Sequence, residues 1–440
     1  MTNNGNEEKI KKILWVVNIP LPEASFLMNR KGTSFGGWIH GLSKDISKNN
    51  QIELIITFPD FSLDRIIELK GEKIKYYVFP SIKRAITRDN IQNKHIEKIV
   101  YDVKPDIVHI FGTEYAHAFE IAKICTNENI QVIISIQGLI SVIAKHYMAS
   151  LPVKVRKAFT FRDFVKQDNL SQQQKKFAKK GLLEIKTLQK ADHVIGRTTW
   201  DKACTAHINP KLHYHFCNET LRDEFYKHTW DIDKCENHSI FVSQGTYPIK
   251  GLHFMIEAMP FILRLYPDAK LYIAGTDITK TDTLKAKLKI SSYGRYIKKI
   301  IKKNNLDNHI IFTGLLDEKQ MCKRYLKSNV FVSPSAIENS PNSLGEAMIL
   351  GVPCVASCVG GVQDMLKDRE EGFIYPYDES YMLAYYICKI FEDKELALKL
   401  SINAREHALR THDREQNSNK LIQIYRMLCK NETDIANVNN

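Results

Sequence analysis

The sequence predicts an α/β protein of two Rossmann-like, doubly wound parallel-sheet domains that face each other across a cleft. Three observations carry that expectation. Short apolar runs rich in Val, Ile and aromatic residues alternate with helix-period segments, in two successive series along 440 residues. A polar stretch without apolar periodicity, 231–237, separates the series. Glycine or polar residues then follow the strand ends, at Asn18, Gly112, Gln137-Gly138, Gln244-Gly245, Gly275, Gly314, Ser335 and Gly360-Gly361. Open parallel sheets bind ligands at that edge, so two converging edges would form one inter-domain site.

In the first series, Lys11-Lys12-Ile13-Leu14-Trp15-Val16-Val17 reads as a buried strand. A loop with Pro20, Pro22 and Gly32 leads to Gly36-Gly37-Trp38, which opens a helix. Further strands are expected at 52–57, 74–79, 106–111, 131–136, 191–196 and 212–216, with helices at 93–102 and 115–126. The second series places strands at 240–243, 270–274, 310–312, 330–333, 354–357 and 373–375. Its first helix, 252–265, stops before Pro267. The expected division is 1–230 for the N-terminal domain and 238–410 for the C-terminal one.

Bulk composition excludes several classes. Apolar content of 44% and charged content of 26% are those of a globular protein, not of a disordered chain. No apolar run reaches the roughly 18–20 residues needed to cross a bilayer, and the polar start gives no signal-peptide core. The expected location is the cytoplasm, with peripheral contact at the inner face of the membrane. The nine cysteines are odd in number and contain no C-x-x-C pair, so free thiols are expected. His213 and His215 alternate along one strand and lack a third nearby ligand.

The net charge of +13 is unevenly spread. Residues 154–190 hold eleven Lys/Arg against three acids, and 280–303 hold nine against one. Such patches attract phosphates, anionic lipid or nucleic acid. In 153–169, Val155, Phe159, Phe161, Phe164 and Val165 interleave with basic residues. That pattern permits a helix lying on a membrane, and equally a solvated helix packed on its own domain. No groove-reading or base-stacking motif accompanies the patches, so nucleic acid is not an expected partner.

The densest signal is 333–361. After the buried run 329–332, Pro341 and Gly351 bracket a short helix beginning Asn342-Ser343-Leu344-Gly345-Glu346-Ala347-Met348. Its first N–H groups lack helical acceptors and favour an anion. Glu338 and Glu346 frame it, with seven residues between them. A capping box between Ser343 and Glu346 is the alternative reading of the second acid. This run, with Ala-Met, Gly-x-Pro and Gly-Gly following, resembles the retaining, nucleotide-sugar-dependent glycosyltransferases of GT-B fold in the large family 4. The resemblance is dense from Phe241 to Tyr375 and thin over the first 230 residues.

That resemblance implies roles. In Val242-Ser243-Gln244-Gly245-Thr246-Tyr247-Pro248-Ile249-Lys250-Gly251, Lys250 matches the phosphate-binding lysine. Gly36 and Gly37 match the glycine loop that lets backbone approach the donor phosphate. The amides of Ser343 and Leu344, beside Asn342, are implied to hold the diphosphate. Glu346 is implied to take the ribose hydroxyls and Glu338 to sit by the transferred sugar, so Lys250 and Glu338 are the expected catalytic pair. Leu315, in Phe312-Thr313-Gly314-Leu315-Leu316, is implied to read the base edge. The C-terminal helix, 413–432, is implied to fold back on the first domain.

There are departures. The family's usual arginine five residues before the lysine is Gly245 here, so one phosphate cation must come from elsewhere, with Arg295 a candidate. Gln137 stands where many relatives have histidine, and Asp364 where glutamate is commoner. His109, at a strand end, is an acceptor-side candidate or a satisfied structural histidine. The segments around Arg197 and Arg222 resemble bacterial polysaccharide-type members, where both would shape the cleft wall or hinge.

The expected function is a retaining, metal-independent transfer of a sugar from a UDP- or GDP-sugar to a glycan acceptor, lipid-linked, in cell-surface polysaccharide biosynthesis. No cofactor beyond the co-substrate is expected, and no strand-end loop carries an Asp-x-Asp pair for Mg²⁺. The N-terminal domain would bind acceptor and the C-terminal one donor. Alternatives are a nucleotide-sugar 2-epimerase of the same fold and a non-catalytic glycan- or lipid-binding protein.

Overall fold

Strand and helix follow the apolar periodicity closely. The computed structural model describes residues 11–30, 37–81 and 90–438, with side chains of 90–93 and 430–438 excepted. Gly36 lies outside the described residues.

The first sheet has eight strands: β1 (Lys11–Val16), β2 (Ile52–Asp60), β3 (Ile67–Lys70), β4 (Lys75–Pro80), β5 (Ile107–Phe111), β6 (Gln131–Ser135), β7 (His193–Gly196) and β8 (His213–Phe216), ordered β3-β4-β2-β1-β5-β6-β7-β8. All pairs are parallel except β3 with β4. β3 is not among the strands expected from sequence. Its Ile-Glu-Leu-Lys is half-buried or exposed throughout, so it carries no apolar run, and pairing at the sheet edge alone makes it a strand.

The second sheet has β9 (Ser239–Val242), β10 (Lys270–Ile273), β11 (Ile310–Phe312), β12 (Val330–Ser333), β13 (Cys354–Ser357) and β14 (Phe373–Tyr375), ordered β11-β10-β9-β12-β13-β14 and parallel throughout. Strand order reverses at β1/β5 in one sheet and at β9/β12 in the other. Those switch points are where loops diverge and leave a crevice.

Successive residues of β1 serve opposite faces: Ile13 and Trp15 join one apolar cluster, Leu14 and Val16 another. The first of these clusters is closed by the C-terminal helix Arg414–Val438 through Leu421, Ile422, Ile424, Tyr425 and Leu428. A stretch from the first 230 residues packs the other way. Tyr147, Leu151 and Leu170 belong to the apolar cluster of the second sheet. His253 Nε2 donates to the Ala149 carbonyl at 2.9 Å, and the Ser292 N–H donates to Asp163 at 3.1 Å. The helical excursion after β6 thus ties the two units together.

Residues 153–169 form two short helices, Val153–Arg156 and Phe161–Lys166, because Thr160 and Asp163 make a reciprocal capping box that starts a new helix. The 231–237 stretch is pinned to the second unit. The Trp230 indole donates to Ser328 O at 2.8 Å, and the Glu236 N–H to Lys327 O at 2.9 Å. Among the described residues no helix is long and apolar enough to cross a membrane, and no group of three or more His, Cys, Asp or Glu is placed to hold a metal. None of the nine cysteines is in a disulfide.

Candidate functional site

A cavity of about 620 Å³ opens at the β9/β12 switch point, and the first unit supplies part of its wall. Gly37 and Trp38, at the start of the helix Gly37–Ile46, face Lys250, Glu338, Ser343 and Glu346 across it.

The chain has specific means of placing each group. After β9, the 3-10 turn Pro248–Lys250 ends at Gly251, whose φ of +69° admits a helix start directly behind Lys250. A side chain there is excluded, because a Cβ on Gly251 would stand 1.7 Å from the Pro334 carbonyl oxygen. After β12, the polar loop carries Glu338 to Lys250, and Nζ donates to Oε1 at 2.6 Å. Ser335 Oγ donates to the same oxygen at 2.7 Å. Burial would lower the Lys250 pKa, but the Glu338 carboxylate overrides it and keeps the ammonium charged. The loop after β13 supports Glu338 from behind, where the Gly361 N–H donates to its carbonyl at 3.1 Å.

The helix Asn342–Leu350 starts on Pro341, has no side-chain cap, and ends on Gly351 at φ +82°. The capping-box reading of Glu346 therefore fails. Asn342 and Ser343 are its first residues, so their N–H groups have no acceptor one turn back, and both residues line the cavity. Leu344 does not serve in the expected way. Its side chain is fully buried and its N–H donates to Pro341 O at 2.9 Å, because the first turn tightens onto the proline carbonyl.

Glu346 is buried and gripped bidentately by Arg222, Nε to Oε1 at 2.7 Å and Nη2 to Oε2 at 2.8 Å. Desolvation raises its pKa, and Arg222 opposes the rise. The guanidinium also lies 4.7 Å over the Phe225 ring. Leu315 lines the cavity mouth and is 79% exposed, as an edge meant to meet a ligand would be.

Three acceptor-side candidates fare differently. His109 is the satisfied structural histidine and not an acceptor-side group: it is fully buried, with Nδ1 at 2.5 Å from the Tyr425 hydroxyl and Nε2 at 2.8 Å from Ser135 Oγ. Burial pushes its pKa down to about 3, so it is a neutral core histidine out of a substrate's reach. Gln137 is turned away too, donating to Glu219 Oε1 at 2.7 Å, and it lines neither large cavity. Arg197 is paired with Glu219 and donates to the Ile136 carbonyl, yet it borders a second inter-unit cavity of about 540 Å³ that shares Asn342 with the first. Arg295 is exposed on the helix Ser292–Lys303 and does not reach the cleft.

The two units are also stitched together beside the site. Thr198 Oγ1 donates to Asn339 Oδ1 at 2.7 Å, Asn339 Nδ2 donates to Asp201 at 3.1 Å, and Asp364 accepts from the Thr199 N–H and Oγ1, each at 2.9 Å. Asp364 thus fixes the start of the helix Thr199–Ile208. Sequence spacing gave no sign of this contact, since its partners lie 165 residues apart.

Residues 223–407 match the family described as glycosyl transferases group 1. A putative glycosyltransferase of Bacillus subtilis is 30% identical over 162 residues, which cover 36% of this chain and 38% of the relative. A phosphatidyl-myo-inositol mannosyltransferase of Mycobacterium leprae is 24% identical over 187 residues, 42% of this chain and 45% of the relative. The chain thus spans less than half the length of these curated relatives. Among solved structures, a sucrose-phosphate synthase from Thermosynechococcus elongatus superimposes with a TM-score of 0.69 at 16% identity, covering 95% of this chain and 99% of that one. HepE of Anabaena, in complex with UDP and glucose, gives 0.63 at 15% identity over 94% and 99%. The fold, two parallel-sheet units around a cleft, is GT-B.

Proposed function

We propose that the protein is a glycosyltransferase that takes a sugar from a UDP- or GDP-sugar with retention, without a metal, and passes it to a hydroxyl of a lipid-linked glycan. The observation that carries the reading is the meeting of Lys250, Glu338 and the tip of the helix Asn342–Leu350 in one switch-point cavity. Breaking a sugar–diphosphate bond leaves negative charge on the leaving oxygen. A charged, partly buried ammonium and preorganised N–H groups stabilise such charge best. Glu338, held by Lys250 and Ser335, would accept hydroxyls of the transferred sugar in this reading. In a one-face displacement the departing phosphate takes the acceptor proton, and no protein base is required.

UDP in the structural neighbour and a lipid acceptor in the name of the mycobacterial relative both favour this substrate class. The basic, aromatic surface around Phe161 favours action at an anionic cytoplasmic membrane face, in polysaccharide assembly, and vesicle binding tests that part of the reading.

The nucleotide part is tested by thermal melting with UDP, GDP and their sugars. A ligand at about 100 times its Kd adds roughly 2.7 kcal/mol and raises Tm by several degrees. Lys250→Met is expected to lose at least about tenfold in diphosphate affinity, a charge-assisted bond being worth roughly 1.5–3 kcal/mol. Glu338→Gln should lose turnover while still binding nucleotide. If neither UDP nor GDP, alone or sugar-linked, shifts Tm, the proposal fails. Product without an acceptor would mark an epimerase, and binding without turnover a non-catalytic protein.

A further inference from the structure

We infer that Arg222 supplies the second cation for the donor diphosphate, and that Glu346 holds it until a diphosphate binds. The inference rests on the nucleotide-diphosphate reading and names a residue of that site. Position 245 cannot provide the cation. A Cβ on Gly245 would lie 2.7 Å from Leu252 Cδ2 and 3.2 Å from Ile273 Cγ2, so an arginine there would have to displace the core beneath β9. Lys250 is then joined at the cavity by one other cationic side chain among the described residues that line it, Arg222.

Three features place Arg222 for this task. It stands where the chain crosses between units, immediately before the 3-10 helix Asp223–Lys227. Its stem lies against the start of the helix Gly37–Ile46, where a Cβ on Gly37 would be 3.0 Å from Arg222 Cγ. Its head reaches Glu346, one turn beyond the Ser343 N–H. It therefore spans the gap between two helix starts, the place where positive helix ends favour a phosphate.

Two groups compete for its guanidinium. Glu346 uses both carboxylate oxygens on Nε and Nη2. A diphosphate brings more charge and matches the same bidentate fork. When Arg222 transfers to it, Glu346 is released with two acceptor oxygens facing the cavity, suited to a vicinal diol such as ribose. Nucleotide binding would thus cost the ion pair and return two sets of contacts.

The test is calorimetric titration of the full chain with UDP, uridine and inorganic pyrophosphate. Arg222→Met should weaken UDP and pyrophosphate about ten- to hundredfold and leave uridine within about threefold. Arg222→Lys, which keeps charge without the fork, should fall between. Glu346→Gln should bind uridine more weakly but pyrophosphate several-fold more tightly, because no carboxylate retains the arginine. Near-UV circular dichroism checks that each variant is folded. If Arg222→Met does not fold, the Arg222→Lys and Glu346→Gln titrations decide. Unchanged pyrophosphate affinity in both Arg222 variants, or weaker pyrophosphate binding in Glu346→Gln, overturns the inference while UDP binding by the parent protein still supports a nucleotide site. Failure of the parent to bind UDP or GDP instead removes the underlying reading.

Discussion

At the scale of single residues, polar atoms in the core are held by partners remote in sequence. Trp15 Nε1 donates to the Tyr425 hydroxyl at 2.9 Å, and the same hydroxyl meets His109 Nδ1 at 2.5 Å. One oxygen thereby satisfies two buried rings. Tyr425→Phe keeps the ring and removes that oxygen, leaving an indole N–H and an imidazole nitrogen without a partner. Each orphaned group costs roughly 1–3 kcal/mol, so the variant is expected to lose about 2–6 kcal/mol in urea unfolding with an unchanged m-value. A loss below about 0.5 kcal/mol would show that the hydroxyl holds neither ring. Residue-level reading from sequence reached Lys250 and Glu338, whose loops carry strong local patterns. It did not resolve His109, since a histidine at a strand end looks the same whether its ring faces a cleft or another helix.

At the scale of elements, the two short helices after Pro152 present an unusual surface. Val153, Phe161, Phe164 and Val165 are all at least 58% exposed, and Phe159 is 47% exposed, beside Lys154, Lys157 and Lys166. The helix Leu284–Lys289 packs against Phe161–Lys166 and adds Leu284, at 76% exposure, with Lys285, Lys287 and Lys289. Parts of the two basic stretches, Phe161–Lys166 and Leu284–Lys289, thus meet and bring exposed apolar and cationic side chains together. Exposed rings among lysines are costly in water and favoured at an anionic lipid surface, where each cation contributes about 1 kcal/mol. Replacing Phe161 and Phe164 by serine should reduce flotation with phosphatidylglycerol vesicles at least about tenfold, with soluble nucleotide binding unchanged. Equal flotation of parent and variant, or equal binding to neutral phosphatidylcholine vesicles, would refute the proposed membrane contact.

At the scale of the whole molecule, buried histidines link stability to pH. Burial holds His109 down to about 3 and His117, His193, His253 and His412 down to about 4, from a usual value of 6.5. Between those values and 6.5, the unfolded chain binds protons that the folded chain refuses. The contribution of these histidines is therefore full above about pH 6.5 and is lost as pH falls. Each histidine contributes a slope of up to about 1.4 kcal/mol per pH unit. Tm should drop steeply from pH 6.5 to 4.5 and stay nearly flat from 7 to 8. His109→Gln, with a non-titrating ring substitute, should shallow the acid limb. A parent Tm independent of pH over 4.5–6.5 would contradict this account.

Local sequence pattern was enough to place every strand except β3, to divide the strands between two sheets, and to mark the loop–helix unit from Glu338 to Gly351. These depend on period-2 and period-3.6 apolar patterns and on Pro and Gly at turns, which act within a few residues. Only the fold in three dimensions shows that Arg222 occupies Glu346, that His109 is sealed by the last helix, that Asp364 accepts from Thr199 of the other unit, and that Phe161–Lys166 packs on Leu284–Lys289. Those contacts join segments whose meeting depends on how crossover connections wind back onto the sheets. Local periodicity carries no trace of a partner a hundred residues away.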